Sequence, residues 1–254
     1  PAPEAGEGRM SQKEGASPAP GVDVQAWMDR LTAELRGAFG ERLLFVGLQG
    51  SRGRGESRPD SDIDAVVVLD RLEPDDLDAY RVLLDRMPRR ELACGFLSGR
   101  EELAGWERSE LFQFARDTRP WLGDLSDLLP PVERADVVRA LRIGACGLYH
   151  AAVHNLLHDR SLPLLRECCK QAAFVLQAKH FLETGEDLRR TRDLLPRLSG
   201  EDRAVLESRA RAAALSSPEE ADFRALSGEL IAWAGRVIRL CGDPSIYEQE
   251  RELR

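Results

Sequence analysis

The segment GLQGSRGRGESRPDSDID, residues 47–64, limits what this chain can fold into more than any other stretch. An apolar run, LLFVGL (43–48), leads into it, and a second, AVVVL (65–69), follows it. Short apolar, β-branched runs bounded by Gly, Ser, Pro and Asp read as strands. A near-continuous Val/Leu run belongs to a strand covered on both faces. Asp62 and Asp64 stand at i and i+2, so in an extended backbone both carboxylates project from one face of the sheet. Two hard oxygen donors at a strand edge suit Mg²⁺, which takes one or two carboxylates and completes its shell with phosphate oxygens and water. The strand holds them on a rigid element. Gly50 allows close backbone approach, and the Ser51 hydroxyl and nearby amides can donate to phosphate. Arg52, Arg54 and Arg58 add positive charge for a polyphosphate. The stretch reads as a cradle for a triphosphate and its metal.

The surrounding chain divides in two. Residues 1–22 are rich in Pro, Gly, Ala and Glu, cannot bury enough apolar surface to offset ordering entropy, and are expected to be a disordered tail. Met10, inside that tail, is a candidate start. A helix is expected from Asp23, an N-cap, with Trp27, Leu31, Leu35 and Phe39 on one face and Gly40 at its end. A second helix should span 75–87, a third strand 91–98, and an amphipathic helix 100–117. Beyond Pro130-Pro131 the pattern is helical throughout: 132–158, then 162–183 closed by Gly185, then 201–215 and 218–241. Ser217-Pro218-Glu219-Glu220 has capping-box spacing with Pro at the first helical position. The expected fold class is therefore α+β: a mixed β-sheet unit over 23–128, then an all-α helical bundle over 129–254.

Composition narrows the function. The net charge of −8 argues against non-specific nucleic-acid binding while leaving room for an anion held by a local basic loop. Five cysteines without a CxxC pair suit reduced thiols. No apolar run approaches the roughly 18 residues of a membrane span, and no signal-peptide core is present. The expected protein is soluble and cytoplasmic, with no membrane partner and with oligomerisation left open.

GSRGRGESRPDSDID closely resembles the GSxxxG…SDxD signature of the polymerase-β-like nucleotidyltransferase superfamily, especially its minimal nucleotidyltransferase members. That resemblance implies a nucleotidyltransferase-fold sheet domain over about 25–125. It also implies that Gly50 and Ser51 contact the nucleotide phosphates and that Asp62 and Asp64 bind the catalytic Mg²⁺. Members of the family that transfer nucleotides use a third acid on a later strand. Glu91, in RRELACGFLS, is similar in context to the catalytic glutamate of the streptomycin/spectinomycin adenylyltransferases, and on that ground is expected to be the third acid and general base. WERSELFQFARDTRPW (106–121) is also similar to that group; its Trp106, Phe112, Phe114 and Trp121 are expected chiefly in the core.

The helical half resembles the HEPN-like or kanamycin-nucleotidyltransferase C-terminal bundles fused to this catalytic fold, where the bundle binds the acceptor. Arg142 and His150 are spaced one residue too far apart for the HEPN ribonuclease motif. His150, His154 and His158 share a helix face but lack further metal-binding signals, and read as polar surface positions. Acidic residues of the bundle, Glu167 or Asp159, are candidates to meet a cationic acceptor; Glu167 is equally well explained as a surface pair with Lys170 at i and i+3. The resulting expectation is an enzyme that uses ATP and Mg²⁺ to transfer AMP to a hydroxyl of a small cationic acceptor such as an aminoglycoside, releasing pyrophosphate. The alternatives are a toxin–antitoxin-like regulator modifying protein or tRNA, and a degenerate nucleotide-binding protein.

Overall fold

The computed structural model describes residues 21–218, 221–243 and 245–248. Helix α1 (Val24–Phe39) starts where Asp23 accepts a hydrogen bond from Ala26 N at 3.1 Å, and stops at Gly40, whose φ of 55° favours glycine. Strand β1 (Leu43–Gln49) runs directly into the short helix α2 (Gly50–Arg54). Then come β2 (Ile63–Leu69), α3 (Pro74–Asp85), β3 (Ala93–Gly99), α4 (Arg100–Ala104), α5 (Arg108–Asp117) and β4 (Arg119–Leu122).

The strands form one mixed sheet in the order β3-β2-β1-β4. β1 is antiparallel to β2 and to β4, and β2 is parallel to β3 through the α3 crossover. Side-chain alternation assigns the faces. Ile63, Ala65, Val67 and Leu69 pack with Trp27, Leu31 and Leu35 of α1 and Leu83 of α3. Val66 and Val68 pack on the other face with Phe45, Leu103 of α4 and Leu111 of α5. Asp64 shares the parity of Val66 and Val68, so it leaves the sheet on the α5 side, and Asp62 stands in the loop just before the strand.

The helical half comprises α6 (Arg134–His154, prolonged by a π-helical turn to Asp159), α7 (Leu162–Thr184), α8 (Thr191–Leu194), α9 (Gly200–Ala214), α10 (Ala221–Gly242) and α11 (Ser245–Glu248). A single core runs through it, from Val137 and Leu141 on α6 to Leu176 on α7 and Leu226, Leu230 and Trp233 on α10. Phe112 of α5 is buried in this same core and meets Phe181 at 5.5 Å between ring centroids. Helix α5 is thus the shared element, covering the sheet with Leu111 and entering the helical core with Phe112.

Several expectations need revision. Strand β3 begins at Ala93, because residues Arg90–Leu92 form a 3-10 turn. The helix expected over 100–117 is broken by Gly105-Trp106-Glu107, with Glu107 capping α5 by accepting from Ser109 N. Strand β4 had no sequence signal. The expected tail lies outside the described residues up to position 20, while Val22 packs on the α1 core. Glu219 and Glu220 of the expected capping box also lie outside them, and α10 is described from Ala221.

Candidate active site

A cleft of about 570 Å³ opens where the N-terminal end of β2 and the end of β1 face α7. Gly50, Ser51, Arg54, Asp62, Asp64, Cys94, Asp117 and, from the helical half, Lys170 and Phe174 line it. Gly50 has φ 69°, and a Cβ built on it would overlap Asp64 Oδ2. Glycine is required here twice over, for the left-handed turn and for the room the carboxylate occupies.

The charge balance is strained toward the negative. Burial, then the neighbouring Asp62 and Asp117 carboxylates, push the Asp64 carboxyl above its ordinary value, while Arg54 and Lys170 pull it back. A site that resists its own ionisation is one a divalent cation would relieve. Among the described residues no group of three or more His, Cys, Asp or Glu could hold a metal ion by itself. The donor set therefore fits a hard cation that takes two carboxylate oxygens from the protein and the rest from phosphate and water.

Asp117 and Lys170 join the cleft without having been singled out for it by the sequence. Asp117 Oδ2 accepts from Gly50 N at 3.1 Å, and Oδ1 pairs with Arg54 Nη1. Arg54 also donates to Glu56 Oε2 at 3.3 Å and lies 5.4 Å from the Phe174 ring centroid. The other Glu56 oxygen accepts from Thr191 N at 2.9 Å, tying the loop after α2 to the start of α8. Lys170 makes its ion pair with Glu167 at 3.4 Å, as the i, i+3 spacing allows, yet it also faces the aspartates across the cleft.

Two expected residues stand elsewhere. Glu91 is not brought into the cleft: it lies in the turn before β3, its side chain 63% exposed and paired with Arg89. The parallel register sets Cys94 beside Asp64, so the adjacent strand offers a thiol at that level rather than a third acid. Arg52 is buried, its guanidinium donating to the carbonyls of Pro59, Ser61 and Asp62. It braces the loop entering β2 instead of facing phosphate. Gly50, Ser51, Arg54, Asp62 and Asp64 come together.

The aromatic segment divides. Phe112 is core, Trp121 donates to Asp29 Oδ1 at 2.8 Å, and Trp106 and Phe114 meet Phe96 edge-on at 5.5 and 5.0 Å. Those three rings line a hollow of about 380 Å³ that shares Gln49, Phe96 and Asp117 with the cleft. A further hollow of about 290 Å³ between α5, α6 and α7 shares Phe174 with the cleft and Glu110 and Gln113 with its neighbour. His150, His154 and His158 are exposed on α6 and its π turn, with ring centroids 6.1 and 4.9 Å apart, and stand outside these spaces.

Residues 32–117 match the family model described as the nucleotidyltransferase domain. That region of the chain, which holds Gly50, Ser51, Asp62, Asp64 and Asp117, is a nucleotidyltransferase domain. Among solved structures, spectinomycin adenyltransferase AAD(9) from Enterococcus faecialis, solved with ATP and spectinomycin, shares the fold at a TM-score of 0.53 and 15% identity, over 84% of this chain and 98% of that one. No curated protein sequence matches significantly.

Proposed function

We propose that this protein transfers AMP from ATP to a hydroxyl of a small, cationic acceptor of the aminoglycoside kind, releasing pyrophosphate. The observation that carries the reading is the meeting of Asp62 and Asp64 with the Gly50-Ser51 turn, Arg54 and Lys170 in one cleft. In the reaction the acceptor hydroxyl gives up its proton to water as its oxygen bonds to the α-phosphorus and the bond from that phosphorus to the α–β bridging oxygen breaks, pyrophosphate leaving. Asp62 and Asp64 would hold Mg²⁺, which when bound neutralises charge on the triphosphate. Ser51 donates its hydroxyl to the phosphates, and Arg54 and Lys170 approach them from opposite walls. Cleft walls from both halves would hold nucleotide and acceptor together, converting a bimolecular attack into a positioned one.

We assign residues 23–128 to the catalytic unit and 129–254 to the acceptor-binding unit. The ring-lined hollows beside the cleft are where an acceptor and a nucleobase can lie against apolar surface, with Glu110 available to a cation. Five free thiols and the use of ATP are in keeping with a cytoplasmic protein. Among the described residues no helix is long and apolar enough to cross a membrane.

The decisive experiment incubates the protein with Mg²⁺, α-labelled ATP and separate panels of aminoglycosides, proteins and tRNA. Label moving to an aminoglycoside, with stoichiometric pyrophosphate, is expected. Label on protein or tRNA, or nucleotide binding without pyrophosphate release, would overturn the acceptor or the reaction respectively.

A further inference from the structure

We infer that Asp117 is a positioning residue of this site, gripping the Gly50-Ser51 turn and the Arg54 guanidinium and so setting where the phosphate-facing donors stand. The inference rests on the nucleotidyl-transfer reading above.

The carboxylate has two oxygens and each has one task. Oδ2 accepts the Gly50 N–H at 3.1 Å and Oδ1 pairs with Arg54. Sheet register dictates the placement. β1 and β4 pair Gly47 with Pro120 and Leu48 with Arg119. Continuing that register by one and two residues sets Thr118 against Gln49 and Asp117 against Gly50. The first of these juxtapositions carries its own bond, Gln49 Nε2 to Thr118 Oγ1 at 2.7 Å. The end of α5 is thereby sewn to the turn at successive residues.

The pair is also poorly hydrated, with the Arg54 side chain 11% exposed and that of Asp117 19%. A charge so enclosed depends on its partner, because losing the partner leaves it uncompensated. Arg54 has one other carboxylate, Glu56, held in place by Thr191 N. Without Asp117 the guanidinium is drawn toward Glu56 alone, and the Gly50 N–H loses its acceptor. Among the described residues Asp117 joins no group of three carboxylates that could hold a metal ion, and its bonds run to Gly50 and Arg54, so its effect is argued through those two. Leu111 and Phe112 anchor α5 in two cores to which Asp117 does not belong, so substitution at 117 is expected to leave the fold in place.

The test compares full-length wild type, Asp117→Asn and Asp117→Ala by steady-state pyrophosphate release, by melting, and by amide exchange of the peptide spanning the turn. For Asp117→Ala, kcat is expected to fall roughly 10²-fold, as misplacement by about an ångström does, with KM for ATP near that of wild type. Exchange at the turn should quicken at temperatures well below the melting transition, which loss of the enclosed pair lowers without abolishing. Asp117→Asn keeps an acceptor for Gly50 N–H but not the charge opposite Arg54, and should fall between the two. Wild-type kcat and wild-type exchange in Asp117→Ala would overturn the inference, as would a loss of kcat matched by global melting and unchanged exchange. If wild type releases no pyrophosphate with any acceptor, the functional reading fails. The exchange experiment then still decides whether Asp117 holds the turn.

Discussion

The backbone of Gly50 passes so close to Asp64 that the glycine's missing side chain and the carboxylate occupy the same space. Any Cβ at position 50 displaces Oδ2 and also meets the penalty of φ 69°. Gly50→Ala is therefore expected to leave far-ultraviolet circular dichroism unchanged and to lower kcat/KM roughly 10²-fold or more, the scale of an ångström's misplacement. An alanine variant that transfers at wild-type rate would show that Asp64 need not stand where it does.

Asp62→Asn and Asp64→Asn each remove one hard oxygen donor from the same cleft. Charge stabilisation by a bound metal contributes several kcal/mol at the transition state, so a loss on the order of 10²–10³-fold is expected from either change. Calorimetric titration with Mn²⁺ in the presence of a non-hydrolysable ATP analogue reads the same loss without turnover. Retained metal affinity in both variants would assign the ion elsewhere.

Asp64 has a stability signature of its own. Its carboxyl is pushed upward by burial and by Asp62 and Asp117, so the folded protein holds that proton more tightly than the unfolded chain. The linked stabilisation is full below the unfolded carboxylate value and is lost as pH rises through the folded one. With metal chelated near neutral pH, Asp64→Asn should consequently melt above wild type, and the gap should close on acidification toward the ordinary carboxylate range. Thermal shift measurements across pH check this; a variant that melts below wild type near neutral pH refutes it.

The thiols should sort by environment. Cys94 and Cys146 are exposed, while Cys168, Cys169 and Cys241 are buried, with burial pushing Cys168 and Cys241 up to about 11. A thiol-disulfide reagent near pH 8 should modify the first two quickly and the other three only on unfolding. Because Cys94 lines the cleft, Mg²⁺ with ATP should slow its reaction and leave that of Cys146 unchanged. Equal protection of both cysteines would argue against nucleotide in this cleft.

What the sequence revealed depended on whether the signal was local. Asp23 and Gly40 bound α1 because a cap and a left-handed stop are each chemistry of one residue. The run 63–69 is a strand throughout because its valines face cover on both sides. Gly50, Ser51, Asp62 and Asp64 are legible for the same reason, lying together on the short segment from α2 to the start of β2. Glu91 stands outside the strand expected to hold it because it is the middle residue of a three-residue 3-10 turn, and nothing in RRELACG marks where extension begins. Asp117 was missed because its position follows from the register of β4, a four-residue strand containing Pro120, which lacks a propensity signal. Lys170 reads as one half of an i, i+3 surface pair, and only the approach of α7 to the sheet gives it a second aspect.

The bond from Thr191 N to Glu56 has a bearing on how such a protein could be rebuilt. Glu56 is the second support of Arg54, and Phe174 packs beside the same guanidinium, so the basic wall of the cleft is partly furnished by the helices. A chimera that kept the sheet but took its helices from a relative would change the acceptor wall and, with it, the footing of the loop that meets the nucleotide. Under the proposed function, acceptor choice and nucleotide affinity would be coupled traits, and grafting would have to carry Phe174 and the start of α8 along with the new acceptor wall.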